Sequence, residues 1–137
     1  MSKQTPRSKA LELLQKLCRL EACDDNGNAQ CWSCRKFFNW KEMDGGHYIP
    51  KGHSSYWSLK KDNVHPQCKG CNSFGMRYGT ANQEYTKSMI DFYGREFVDA
   101  MEKVKRTVLK ISKAEYLEMI SDWKAEIKKH LTRIGEK

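Results

Sequence analysis

Four cysteines, arranged in two pairs, carry the plainest chemistry in this chain. Cys31-Trp32-Ser33-Cys34 and Cys68-Lys69-Gly70-Cys71 are both Cys-x-x-Cys, and they bracket a hairpin-sized insert. Two such knuckles can set four thiolates tetrahedrally around one ion, which is the ligand set of a closed, structural Zn²⁺ site. Only one tight turn joins the sulfurs of a pair, so each pair grips the metal as a pincer. The ion then ties together segments far apart in sequence. The insert is slightly longer than in most zinc ribbons. It holds Asp44-Gly45-Gly46-His47-Tyr48 and Asn63-Val64-His65-Pro66-Gln67, and Asn72 follows the second knuckle directly.

Rival uses of the cysteines are weaker. Disulfides require an oxidising compartment. The opening residues lead into no apolar stretch long enough for a signal peptide or a membrane helix, so a cytoplasmic setting without a membrane partner is expected. A thioredoxin-like redox site needs one pair at the start of a helix in a βαβ unit, and no such unit is legible. Cys18 falls in an apolar helical pattern and reads as a small core residue. Cys23, close to Cys31 in sequence, is a rival ligand that the paired spacing disfavours.

At 137 residues with 39% hydrophobic content, the chain supports one modest core. Its middle third is poor in long apolar runs, and there a metal would replace part of the missing core. The formal charge is +8 and it is unevenly spread. From Cys31 to Thr80 there are eight basic residues against three acidic, while residues 81–137 carry twelve against ten. A basic excess focused on one segment reads as a polyanion footprint. Some of these lysines also balance a zinc–tetrathiolate centre, whose own net charge is negative.

These groups need elements to hold them. Ala10, Leu13, Leu14, Leu17, Cys18 and Leu20 recur at helical spacing between Arg7 and about Cys23, which predicts an amphipathic helix with one buried face. Asp24 to Asn28 is a turn. Lys36 to Trp40 predicts a short extended piece, and Gly45-Gly46 a bulge or a close approach of another backbone. His47-Tyr48-Ile49 reads as a strand stopped by Pro50, and Asp62 to Gln67 as its partner. A loop with Tyr56 and Trp57 lies between them. A helix starts near Asn72. Further helices are expected over about Asn82 to Tyr93, ended by Gly94, and over Arg95 to about Leu109. A third follows the capping box Ser112-Lys113-Ala114-Glu115. Its stripe of Tyr116, Ile120, Trp123, Ile127, His130 and Ile134 is a core face or, less commonly, a dimer seam. The expected fold is α+β: a zinc-pinned finger over residues 31–80, preceded by a helix and turn over 1–30 and followed by a helical region over 81–137.

Knuckle, Gly-His strand, loop, Asn, knuckle and trailing Asn together resemble the HNH, or His-Me finger (ββα-metal), endonucleases. Asp-Gly-Gly-His-Tyr-Ile-Pro followed by Asn-Val-His-Pro-Gln-Cys-Lys-Gly-Cys-Asn is similar, more specifically, to the phage NinG (Rap) recombination proteins. The likeness runs from about Cys31 to the C-terminus. It implies a nuclease of branched DNA, including Holliday junctions and displacement loops.

The resemblance also implies roles. His47 matches the general base that deprotonates the attacking water, and an imidazole titrating near neutral pH suits that task once its other nitrogen is held. Asn63 matches the Asn that bridges the loop and orients the base. Asn72 matches a metal ligand at the start of the helix. Many HNH enzymes place an Asp ligand immediately before the His, where this chain has Gly46. Asp44 is the nearest carboxylate, and a Gly45-Gly46 bulge is expected to swing it into place. Asp44, Asn72 and a DNA phosphate would then hold Mg²⁺ or Mn²⁺, hard cations that favour oxygen. Lys51, His53, Lys60, Lys61, Lys69 and Arg77 are the candidate DNA contacts, with Tyr56 and Trp57 packing or stacking on a base. Strand alternation places His65 on the same face as Asn63, within reach of the site. Resolving a two-fold junction takes two cuts, so a homodimer is expected, with the stripe from Tyr116 to Ile134 as one candidate seam. Folding of that stripe onto Phe97, Met101 and Val104 is the competing arrangement. Two other functions remain open: a non-catalytic zinc module that binds DNA, and an interaction protein acting through its helical tail.

Overall fold

The structure is a computed structural model that describes residues 4–136. It is a mixed α+β fold built around two small antiparallel sheets. Helix α1 (Pro6–Ala22) begins with Pro6 at its first turn and Thr5 as its cap, whose side chain accepts from the Ser8 N–H. Its buried residues are Ala10, Leu13, Leu14, Leu17, Cys18 and Leu20, the face that the periodicity marks out. Leu14, Leu17 and Leu20 are completely enclosed. Each contributes about 1.5–3 kcal/mol of burial, an upper estimate.

Strands β1 (Asn28–Gln30) and β2 (Phe37–Asn39) form the first hairpin, closed around the first knuckle. Arg35 takes a left-handed φ of 64° to complete that turn, and its N–H donates to the Cys31 carbonyl. The second hairpin pairs β3 (Met43–His47) with β4 (Val64–Cys68) in an unbroken register from Met43↔Cys68 to His47↔Val64. The predicted bulge at Gly45-Gly46 is therefore absent. Both glycines serve close approach instead. A Cβ on Gly45 would fall 2.6–2.8 Å from Gln15 of α1, and one on Gly46 would fall 1.7 Å from Gln67 Oε1. The strand also ends at His47 and not at Ile49, because Asn63 takes over the pairing beyond it.

Helical backbone follows β4 without a loop, over 69–78. It is wound as a π-helix at Cys71–Gly75 and as a short α2 at Met76–Tyr78. Next come α3 (Ala81–Tyr93), ended by Gly94 at φ 92°, α4 (Arg95–Lys103) and α5 (Lys113–Arg133). Ser112 and Glu115 form the predicted capping box at the start of α5.

Helix α4 stops six residues before the expected Leu109. Its continuation is drawn off by the loop after β3. The Trp57 indole N–H donates to the Val104 carbonyl at 3.1 Å, the Tyr56 N–H to the Thr107 carbonyl at 3.4 Å, and the Leu109 N–H to Ser55 Oγ at 2.7 Å. Val108 is accordingly 81% exposed and lies on no apolar face.

The β3–β4 hairpin sits between two apolar layers. On one side α1 packs against both strands, and α5 packs on α1 in turn. Ile127 is buried there, and Ile120, Trp123, Leu131 and Ile134 join the cluster of Leu13, Leu17, Leu20 and Met43. On the other side Tyr85, Met89, Val98 and Met101 of α3 and α4 enclose Tyr48, Ile49 and Trp57. Within the chain the α5 stripe thus packs on α1 and not on Phe97 and Met101.

Candidate functional site

Two separate constellations are built on the second hairpin and its helix, and the cysteine knuckles hold both in place. Cys31, Cys34, Cys68 and Cys71 converge, with all four Sγ atoms within 4.8 Å of one another and Cys34 to Cys68 at 3.9 Å. Tetrahedral zinc with Zn–S near 2.3 Å requires sulfurs about 3.8 Å apart. A disulfide requires about 2.05 Å, and all four cysteines are free thiols. The four cysteines could therefore hold a metal such as Zn²⁺. Cys31 is at the centre, accepting from the N–H groups of Ser33 and Cys34 at 3.4 Å and of Cys68 at 3.3 Å. Burial pushes its thiol up, but these donors outweigh burial and leave its pKa lowered. Cys34 and Cys71 shift upward through burial and the nearness of the other thiols. Sulfurs this close resist ionising together unless a cation compensates them. Cys18 and Cys23 lie outside the cluster, in the core around α1.

His47 closes β3 and turns its Nε2 to the Ser58 carbonyl at 2.9 Å. A carbonyl only accepts, so Nε2 carries the proton and Nδ1 of the neutral ring keeps its lone pair. Burial holds the imidazole below its ordinary pKa, and the charges of Lys51 and Arg7 lower it further, against a raising effect of the Ser58 carbonyl. The ring is therefore neutral at pH 7. Arg7, on α1, donates to Ser58 Oγ at 3.0 Å and to the Tyr116 hydroxyl at 3.3 Å. Nothing in the sequence marks Arg7, because only the packing of α1 on the hairpin brings it there.

Asn63 is fully buried and behaves as an extra rung of the ladder. Its Oδ1 accepts from the Ile49 N–H at 2.7 Å, while its Nδ2 donates to the Ile49 carbonyl at 2.9 Å and the Trp57 carbonyl at 3.1 Å. It thereby ties the chain after His47 to the loop that presents Ser58. Replacing Asn63 with Ala strands three buried backbone groups, so a loss of about 3–5 kcal/mol is expected in denaturant titration of the zinc-loaded protein. A loss under about 1 kcal/mol would mean that other contacts hold the loop.

Asp44 and Asn72 form the second constellation. Asn72 Nδ2 donates to Asp44 Oδ2 at 3.1 Å, and Lys69 Nζ to Asp44 Oδ1 at 2.8 Å. Burial pushes the Asp44 carboxyl up, but the bonds from Lys69 and Asn72 and the charges of Lys69 and Arg19 outweigh it. The acid is ionised at neutral pH. Beside them Gln67 Oε1 is buried without a hydrogen-bond partner among the described residues. Its orientation is set by a chain: Gln67 Nε2 donates to Ser33 Oγ at 2.8 Å, and Ser33 Oγ donates to the Ala81 carbonyl at 2.8 Å. Asn72 Oδ1 and Gln67 Oε1 both lie within 3 Å of the point where a Gly46 Cβ would stand. The Asp44 carboxylate and the amide oxygens of Asn72 and Gln67, the last without a donor among the described residues, are a set of oxygens that fits a hard cation. This crowding also explains why Gly46 precedes the histidine: an Asp there would collide with Gln67. A polar residue at an enclosed strand position was the available signal for Gln67.

Strand alternation puts Asp44 and His47 on opposite faces of β3, and no contact joins them among the described residues. His65 also stays apart, despite its shared face with Asn63. The Tyr85 hydroxyl donates to the Gly46 carbonyl at 2.8 Å, so it accepts from His65 Nδ1 at 3.0 Å, and His65 Nε2 accepts from the Tyr93 hydroxyl at 2.8 Å. Burial pushes its pKa down to about 3, and its ring stacks on Trp32. It is a neutral core residue.

Of the basic residues, Lys51, His53, Lys60, Lys69 and Arg77 are exposed. Lys60 lies over the Tyr56 ring. Lys61 is engaged, at 3.0 Å from Glu21 and 3.1 Å from Glu126, where it clamps α1 to α5. Trp57 is buried against α3 and α4, so it packs and does not stack on a base. A cleft elsewhere is lined by Trp32, His65, Tyr93 and Arg35, and by none of His47, Asp44 or Asn72. Glu21, Asp62 and Asp91 on its rim suit it poorly to phosphate.

No helix among the described residues is long and apolar enough to cross a membrane. No curated protein and no solved structure matches the chain. The family model described as Bacteriophage Lambda NinG protein does, over residues 2–133. That span takes in α1, both knuckles, the hairpin and all the later helices, so the chain belongs to the bacteriophage lambda NinG protein family.

Proposed function

We propose that this protein is a metal-dependent endonuclease of the HNH, or His-Me finger, type that cuts branched DNA intermediates of phage recombination. The observation that carries the reading is His47: a neutral imidazole whose Nε2 proton is anchored on the Ser58 carbonyl, leaving Nδ1 free to accept. It sits on a strand–strand–helix unit, β3, β4 and 69–78, next to four cysteines suited to zinc. In the reaction Nδ1 takes a proton from water, the water oxygen bonds to phosphorus, and the bond to the 3′ oxygen breaks. Asp44 and Asn72 would hold Mg²⁺ or Mn²⁺, which when bound supplies charge stabilisation for the phosphorane and the leaving oxygen. Lys69 occupies that carboxylate as a cation in its own right, and its long exposed side chain can move to a phosphate. β3 is paired with β4 along one edge, and on the other its Gly45 N–H donates to Gln15 Oε1 of α1 at 3.3 Å.

The Lys69–Asp44 pair also favours a second reading, a zinc module that binds DNA without cutting it, since the acid already has its counter-charge. The helical tail is a poorer candidate for partner capture, because the apolar stripe of α5 is covered by α1. Incubating the protein with four-way junctions, displacement loops and linear duplex in Mg²⁺ or Mn²⁺ separates the two. Nicks near the branch are expected. Gel shifts without cleavage on any DNA would overturn the nuclease reading in favour of the second.

Because His47 must be neutral to act, and burial lowers its pKa, the acid limb of the rate should lie below the ordinary imidazole value of 6.5. Activity falls as pH drops through that lowered value. An acid limb at or above 6.5 would assign it to another group. Paired cuts in a symmetric junction call for two active sites, so a homodimer is proposed. Because α5 packs on α1 within the chain, the contact is proposed on another face. Light scattering with and without junction DNA should give twice the chain mass, and a monomer in both conditions would defeat the proposal.

A further inference from the structure

We infer that Phe74 and Tyr78 form a stacking surface for unpaired nucleobases, on the outer side of the helix that carries Asn72. Both side chains are 69% exposed, and neither belongs to any of the core clusters. Their ring centroids are 5.1 Å apart, and the Arg77 guanidinium lies 5.9 Å from the Tyr78 ring. Two bare aromatic rings on one short helix cost solvation and give nothing back within the chain.

Charge selects the occupant. From Asn63 to Gln83 the chain carries Lys69 and Arg77 and no acidic residue, which suits a polyanion and not an acidic-rimmed protein partner. Aromatic faces beside cations are the elements of single-strand recognition, in which a base lies on the ring and its phosphate meets the cation. Fully paired duplex keeps its bases stacked on one another and offers no free face. The ends and crossovers of branched DNA do offer one.

The rings also stand on the other side of the helix from Asp44. Asn72 turns inward to Asp44, and Phe74, two residues later, points to roughly the opposite side of the helix. One helix diameter, about 10 Å, separates them. This inference rests on the nucleic-acid reading above and deepens it: unpaired bases held at Phe74 and Tyr78 would bring the branch to the helix that carries Asn72, beside Asp44.

The experiment compares the whole zinc-loaded chain with the double variant Phe74→Ala, Tyr78→Ala, without added Mg²⁺ or Mn²⁺ so that no cleavage intervenes. Affinities are measured for a single-stranded oligonucleotide, a four-way junction and a linear duplex. The variant is expected to lose roughly five- to a hundredfold in affinity for the first two, with duplex binding unchanged. 2-Aminopurine next to the branch should change its fluorescence on binding the wild type and not the variant. Unchanged affinity, or an equal loss on all three DNAs, overturns the inference, as does a wild type that binds no DNA. A wild-type dimer that the variant turns into a monomer overturns it too, by assigning the rings to a self-contact. Unaltered zinc content and circular dichroism confirm the variant's fold. A wild type that shows the stacking response but never cuts in Mg²⁺ or Mn²⁺ would refute the nuclease reading alone.

Discussion

Replacing Cys31 with Ser is expected to abolish zinc binding at the four cysteines and to unfold the centre of the protein. Cys31 is fully buried, accepts three backbone N–H groups and lies in the same cluster as Leu17, Leu20 and Met43 of α1 and β3. Its loss therefore reaches beyond one ligand. Structural zinc contributes an apparent 10–16 kcal/mol, roughly, to folds of this kind, whereas the net stability of a domain is about 5–15 kcal/mol. With such magnitudes a fold that holds zinc at these cysteines is expected to be lost when the metal is removed. Elemental analysis should find one zinc per wild-type chain and none in the variant, and the far-ultraviolet melting transition should disappear or fall steeply. Cys23→Ala is the control, since Cys23 lies outside the cluster, and it should retain its zinc. Absence of zinc in the wild type, or a melting curve unmoved by exhaustive chelation, would refute the structural role.

His47→Ala should lower cleavage of a four-way junction by about 10²–10⁴-fold, the range that a positioned base contributes. Binding in a gel shift should persist. The structural cost is small, because the ring makes one hydrogen bond, to the Ser58 carbonyl, and its removal strands a single acceptor. A fall in both cleavage and melting temperature would point to a damaged loop instead, as expected for Asn63→Ala. Full nuclease activity in the His47 variant would sink the mechanism outright.

Local pattern alone determined several features of this protein. The Cys-x-x-Cys spacing paired the four thiols, because a single turn leaves two sulfurs within a few ångströms wherever it is placed. The buried face of α1, the stop at Gly94 and the cap at Ser112 were all legible, since each depends on neighbours within one or two turns. His47, Asn63, Asp44 and Asn72 were legible as candidates by type and order. Their grouping was not. Tertiary packing bound Asp44 to Asn72 and Lys69, set His47 apart on Ser58, and committed His65 to Tyr85 and Tyr93. It also chose close approach over a bulge at Gly45-Gly46, engaged Lys61 between Glu21 and Glu126, and ended α4 at Lys103 by capturing the carbonyls of Val104 and Thr107. The stripe of α5 shows the reason most clearly. Periodicity says which side of a helix must leave water, but several apolar faces in one chain can satisfy it. The choice of α1 follows from the shape and volume of the assembled core, which no local window of sequence contains.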